Sequence, residues 1–226
     1  MKYVLLKKVV SLHQHSPKKN KTKDMKKIII ALMMCLPMAT MAQDNAWEKS
    51  AATIKANVNP KYLAGAVPVV DGKVMFEKTI AAPGKTKKQI YDLLLEDMTR
   101  MTKEDNQFEQ SSILNTDVKD FSQIAANYQE WLVFKNKPLV LDRTRLFYTL
   151  IADIKDGEAT VKMTRIHYLY DEEREPTPYK AEEWITDKYG LTKKMNKTSR
   201  VSGKFRIKTI DRKDYIFDRL TKVLNK

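Results

Sequence analysis

The chain has 226 residues, a formal charge of +14, 42% hydrophobic and 31% charged residues, 6 Gly, 8 Pro and a single Cys. That balance suits one globular domain with a tail, and it excludes a collagen, a disulfide scaffold and a polytopic membrane protein. Nine lysines and one acid, Asp24, fall within residues 1–42, so more than half of the apparent basicity lies in a short N-terminal segment.

Residues 1–24 are lysine-rich and precede a complete export signal. They read as an upstream mis-start, with translation beginning at Met25, or as a basic leader. From Met25 the chain has a positive pair (Lys26, Lys27), an apolar run at 28–36, and a small-x-small cleavage site at Thr40-Met41-Ala42. Pro37 breaks the apolar run, which is shorter than the roughly 20 residues a spanning helix needs. Residues 25–42 are therefore read as a signal peptide cleaved after Ala42, and the protein is expected to be exported, either periplasmic or secreted. Cys35 follows Met34 instead of the small residue of a lipobox and lies inside the apolar run. The cleaved chain then has no cysteine and no disulfide.

Residues 43–66 are weakly patterned and read as a flexible lead-in to a single domain at 67–226. Asp71-Gly72 between Val67–Val70 and Val74–Glu77 signals a tight turn, and the alternation of 73–80, with Val74, Phe76 and Ile80 on one face, predicts a strand. After Pro83-Gly84, Thr86 and Gln89 form a capping box that opens a helix at 87–101, with Ile90, Leu93, Leu94, Met98 and Met101 at helical spacing. Four strands are predicted at 109–115, 125–135, 143–155 and 158–170. The last two turn at Asp156-Gly157. Pairing Lys155 with Glu158 and continuing up the hairpin sets Arg145 opposite Tyr168 and Arg143 opposite Tyr170. One face then gathers Ile154, Ala152, Leu150, Leu146, Ala159, Val161, Met163 and Leu169 as core. Residues 171–178 read as an acidic loop, 181–188 as a short helix stopped by Gly190, and the chain from Lys204 as a long terminal helix interrupted by Asp214. Strand, helix, four strands, helix is an α+β order: an antiparallel sheet with helices on one face.

The run VPVVDGKVMFEKTI, the helix after PGKT and the segment YKAEEWITDKYGLTKK, together with the export signal, resemble a Bacteroidetes family of secreted proteins. That family is described as a domain of unknown function with a TATA-binding-protein-like fold. The resemblance spans residues 67–226 and implies β-α-β4-α topology. It implies no catalytic residue, and fold alone does not imply DNA binding.

Gly84-Lys85-Thr86 has no glycine five residues before Gly84, so it reads as a helix cap and not a phosphate loop, with Lys85 left as a weak anion contact. His167 is the one histidine after Ala42 and is placed on the apolar face opposite Leu146. The acids Asp171, Glu172, Glu173 and Glu175 lack calcium-loop spacing. No catalytic residue, metal or cofactor is expected. Arg143, Arg145, Phe147, Tyr168 and Tyr170, on the open hairpin face, form a candidate ligand-binding surface suited to stacking a ring and fixing an anion. Residues 180–226 hold 14 basic and 6 acidic residues. Among them Lys193, Lys194, Lys197 and Arg200 form a candidate anion patch for an anionic envelope lipid, a glycan or an envelope protein. Nucleic acid is not an expected partner. The function expected is a non-enzymatic binding module of the cell envelope. The alternatives are a carboxylate-dependent hydrolase of envelope polymers and a structural subunit of an envelope assembly.

Overall fold

The computed structural model describes Asn45, Trp47 and residues 56–226. The segments read as a basic leader and as a cleaved signal peptide lie outside the described residues. Two 3-10 turns, Ala56–Val58 and Pro60–Tyr62, lead to a small hairpin of β1 (Val69–Val70) and β2 (Lys73–Val74). Asp71 and Gly72 both take positive φ in its turn, as the Asp-Gly pair requires. The predicted 73–80 strand breaks at Met75, and β3 runs Phe76–Ala81. Helix α1 spans Lys87–Met101, and its capping box is formed: Gln89 Oε1 accepts from Thr86 N (2.8 Å) while Thr86 Oγ1 accepts from Gln89 N (3.3 Å).

Strands β4 (Ser112–Thr116), β5 (Gln123–Lys137), β6 (Val140–Lys155), β7 (Glu158–Tyr170) and β8 (Thr177–Lys180) follow. Strand β8 falls partly in the segment expected to be loop. The predicted short helix is two single turns, α2 (Ala181–Trp184) and α3 (Asp187–Gly190), and the terminal helix α4 spans Gly203–Leu224. The six-stranded antiparallel sheet has the order β3-β7-β6-β5-β4, with β8 continuing the edge that β3 occupies on the first half of β7.

Even-numbered positions of β5 and β6 face α1 and α4. Ile124, Ala126, Tyr128, Leu146, Leu150 and Ala152 pack there against Leu94, Met98, Ile216 and Leu220. The opposite face carries no helix among the described residues. This matches the expected layer arrangement.

Residues 56–66 are not the loose lead-in expected. Tyr62 is buried, and the Arg206 side chain donates to the Tyr62 and Leu63 carbonyls. Lys61 bridges Asp211 (2.6 Å) and Asp214 (2.8 Å), the acid expected to interrupt the apolar repeat of α4. Burial and the Asp211 carboxylate push the Tyr62 phenol up to about 12. Burial raises the Asp214 carboxyl, but bonds from Lys213 and Lys61 outweigh it and hold the group below its ordinary value. A depressed carboxylate stabilises the fold above its unfolded value and ceases to do so as pH falls through the folded one. Melting temperature should therefore fall below about pH 4. The acid limb should be shallower in Asp214→Asn; an identical limb in that variant would remove Asp214 from the account.

Candidate open-face binding site

Two bulges shape the open face. On β7 the pairing from Lys155↔Glu158 to Thr149↔Thr164 is as expected, but from Phe147↔His167 onward it is shifted by one residue. The extra residue lies at Arg165, whose φ of 54° is left-handed. One inserted residue exchanges the two faces of everything beyond it. On β5 a second shift falls between Val133 and Lys135; Phe134, within it, stays on the helix side, where its ring lies 4.6 Å from that of Phe205.

The β7 bulge corrects two of the five residues of the predicted surface. Tyr168 is wholly buried on the helix face, with its hydroxyl 2.7 Å from Thr209 Oγ1. It is therefore withdrawn from the open side. Burial raises its phenol above the ordinary value. Tyr170 also turns to the helix side, pairing with Thr144 instead of Arg143; its hydroxyl donates to Asp142 (3.0 Å) and accepts from Lys204 (2.9 Å). Leu169, assigned to the core, shares the open side with His167. His167 lies opposite Phe147, not Leu146, and the two rings stack at 4.5 Å and 7°.

Arg143, Arg145 and Phe147 occupy the open face as expected. The Arg143 guanidinium lies 3.7 Å from the centre of the Trp131 ring, and that of Arg145 lies 3.9 Å from Phe108. Trp131 reaches this position because it is the Cα partner of Arg145 across β5 and β6. Phe108 reaches it because its N–H donates to Gln129 O (2.8 Å), laying the segment after α1 along the free edge of β5. The charged edges of both arginines meet the loop between β7 and β8. Glu172 takes Arg145 in a two-pronged grip, with Nε 3.0 Å from Oε2 and Nη2 on Oε1, while Glu173 pairs with Arg143. A cleft of about 180 Å³ lies between this loop and the strand ends, lined by Trp131, Leu141, Arg143, Tyr170 and Glu173 among others.

Phe108, Trp131, His167 and the two glutamates were missed in the sequence. The β5–β6 register would have found Trp131. The glutamates belong to the acidic loop read as solvated. Elsewhere the expected anion contact at Lys85 is pre-empted, because Asp156 Oδ1 accepts from Lys87 N (2.7 Å) at the start of α1.

Lys193, Lys194 and Lys197 are exposed on the loop closed by the Leu191↔Thr198 bridge, Arg200 is exposed just beyond it, and the four take no ion-pair partner among the described residues. The wider basic run does not form one surface: Arg206 and Arg212 are buried, and Lys204 and Lys213 pair with Asp142 and Asp214. Among the described residues there is no cluster of metal-ligating side chains, and no helix is long and apolar enough to cross a membrane.

A family model described as a domain of unknown function (DUF4468) with TBP-like fold matches residues 76–169. The crystal structure of a DUF4468 family protein from Bacteroides ovatus is 40% identical, with a TM-score of 0.67, covering 74% of this chain and 94% of that one. A TBP-like protein from Parabacteroides distasonis, 18% identical with a TM-score of 0.57, covers 70% of this chain and 96% of that one, a likeness of fold alone. No curated protein matches. The chain belongs to the DUF4468 family of TBP-like α+β domains.

Proposed function

We propose that this protein is an exported, non-enzymatic binding module of the cell envelope whose open sheet face grips an acidic glycan. The observation that carries the reading is Arg145. Its guanidinium is laid flat on Phe108, and its fork points outward to a carboxylate held two-pronged on a loop. A stacked arginine loses little freedom on binding, and a glycan carboxylate would take the place of Glu172 in its planar fork. The neighbouring rings of Phe147 and His167 offer an apolar platform for a sugar ring. Catalysis is the weaker reading because the nearby carboxylates are engaged: Glu172 by Arg145, Glu173 by Arg143, and Asp142 by Lys204 and Tyr170.

Affinity electrophoresis through gels containing polygalacturonate, with neutral dextran as control, tests the surface. Retardation should be specific to polygalacturonate, and Arg145→Ala should weaken it about tenfold, as expected for one lost charge-assisted pair. Equal mobility of parent and variant would sink the proposal. The export half is read by mass spectrometry of the periplasmic fraction, where a chain beginning at Gln43 is expected and a cytosolic chain beginning at Met1 would refute it.

A further inference from the structure

The β5–β6 hairpin ends in a fully exposed apolar side chain. Lys137 pairs with Val140, so Pro138 and Leu139 alone make the turn. Proline first and positive φ second is the type II pattern, in which the second position favours glycine because an L side chain crowds the backbone there. Leu139 holds that position at φ 64° and is fully exposed. Strain and apolar exposure thus fall on one residue, and no contact within the described residues offsets either. Val140 and Leu141 beside it are 43% and 45% exposed. Lys135 and Lys137 flank them, exposed and without ion-pair partners among the described residues. Unrelieved strain and a clustered apolar tip both point to an external contact.

The same end of the molecule carries the basic loop. Lys204, in the first turn of α4, holds Asp142 at the base of the tip (2.7 Å). The loop leading into α4 presents Lys193, Lys194, Lys197 and Arg200, with Met195 and Val201 exposed among them at 49% and 59%. No acidic residue occurs from Lys188 to Ile210.

We infer that this end docks on an anionic lipid bilayer. Leu139 and Val140 enter the interfacial zone, and the lysines of the tip and the basic loop meet the headgroup phosphates. A protein partner fits less well. Three side chains at a turn cover far less than the ~800 Å² per partner of a stable interface. A bilayer needs no matching shape and gains from each buried side chain and each cation separately. Leu141 borders the open-face cleft, but Leu139 and Val140 do not line it, so substitutions at Leu139 and at Arg145 test the two readings independently.

The test places an environment-sensitive fluorophore at position 139 (Leu139→Cys in a Cys35→Ser background) and adds vesicles of phosphatidylethanolamine with phosphatidylglycerol. A blue shift is expected, absent with phosphatidylcholine alone and absent for a probe at Leu114, on β4 far down the sheet. In sedimentation with the same vesicles, Leu139→Gly should bind about tenfold more weakly while melting at a higher temperature, because glycine relieves the turn. The parent and all variants carry the apolar run at 28–36 equally, and the fluorophore reads the tip itself. No shift at position 139, a lowered melting temperature in Leu139→Gly, or self-association abolished by that substitution without a lipid-induced shift would each overturn the inference.

Discussion

Arg212→Ala should cost about 3–5 kcal/mol, a large part of the stability of a domain this size. Arg212 and Glu130 are both wholly buried, with Nε 2.8 Å from Oε1. The second Glu130 oxygen accepts from Asn106 and from Gln107 (3.1 Å), on the segment after α1. The other arm of Arg212 reaches Glu104 (3.4 Å), which with Asp97 also holds Arg219. One network thus ties β5, the end of α1 and α4 across the core. Burial opposes the charge on Arg212, but the Glu130 carboxylate outweighs it and holds the guanidinium above its ordinary value. Truncating the arginine strands a carboxylate beside the stacked rings of Tyr128 and Tyr148, away from water. Burial already pushes the Tyr148 phenol well up in that environment. Glu130→Leu should be comparably damaging. The pair Arg212→Met with Glu130→Leu should recover most of the loss, because it removes both desolvation costs together. Urea unfolding followed by circular dichroism measures the cycle. Single losses under about 1 kcal/mol, or strictly additive ones, would mean that the two charges are not paired in the core.

Arg206→Ala should cost about 3 kcal/mol and release residues 56–66. This buried guanidinium donates from Nε to Tyr62 O (2.6 Å), from Nη1 to Ile185 O (2.6 Å), and from Nη2 to Leu63 O (2.5 Å) and Asp187 Oδ1 (2.7 Å). The other Asp187 oxygen accepts from Gly65 N (2.8 Å). A single side chain of α4 therefore joins the lead-in turns to α2 and α3. Its burial outweighs the help of Asp187, and its affinity for the proton lies below the ordinary value. Gly190 makes room for it: a Cβ there would lie 2.9 Å from Arg206 Cδ and 2.7 Å from Ile185 O. Arg206→Lys should fail to rescue, since one ammonium cannot span three carbonyls and a carboxylate. Hydrogen exchange is the decisive readout, with amides of 56–66 exchanging at near-free rates in Arg206→Ala. Protection unchanged in that segment would show that other contacts hold it.

The two arginines show where sequence reading stops. Arg206 and Arg212 lie in a run of cations that composition presents as a solvated basic face. Their carbonyl and carboxylate partners stand as far as 144 residues away in the chain, and no local pattern announces them. The open face divides in the same way. Arg143, Arg145 and Phe147 follow from the alternation of β6, and the capping box at Thr86 and the Asp71-Gly72 turn follow from short-range chemistry. Tyr168 and His167 were assigned to the wrong faces because the bulge between them and the turn is carried by Arg165, not by glycine. A positive φ on arginine leaves no mark in the sequence.

What the sequence by itself determined is the set of properties governed by neighbours along the chain: the α+β order, α1 and its cap, the long strands, the core side of β6 and the exposed cations of the 193–200 loop. Only the tertiary structure decided which side chains meet. It stacked Arg143 and Arg145 on Trp131 and Phe108, closed them with Glu172 and Glu173, buried two arginines in the core, and left Leu139 exposed at the tip. The reason is physical. Helix and turn propensities act over a few residues, whereas burial, pairing and register are settled by strands and helices brought together from distant parts of the chain, where one inserted residue reverses a face.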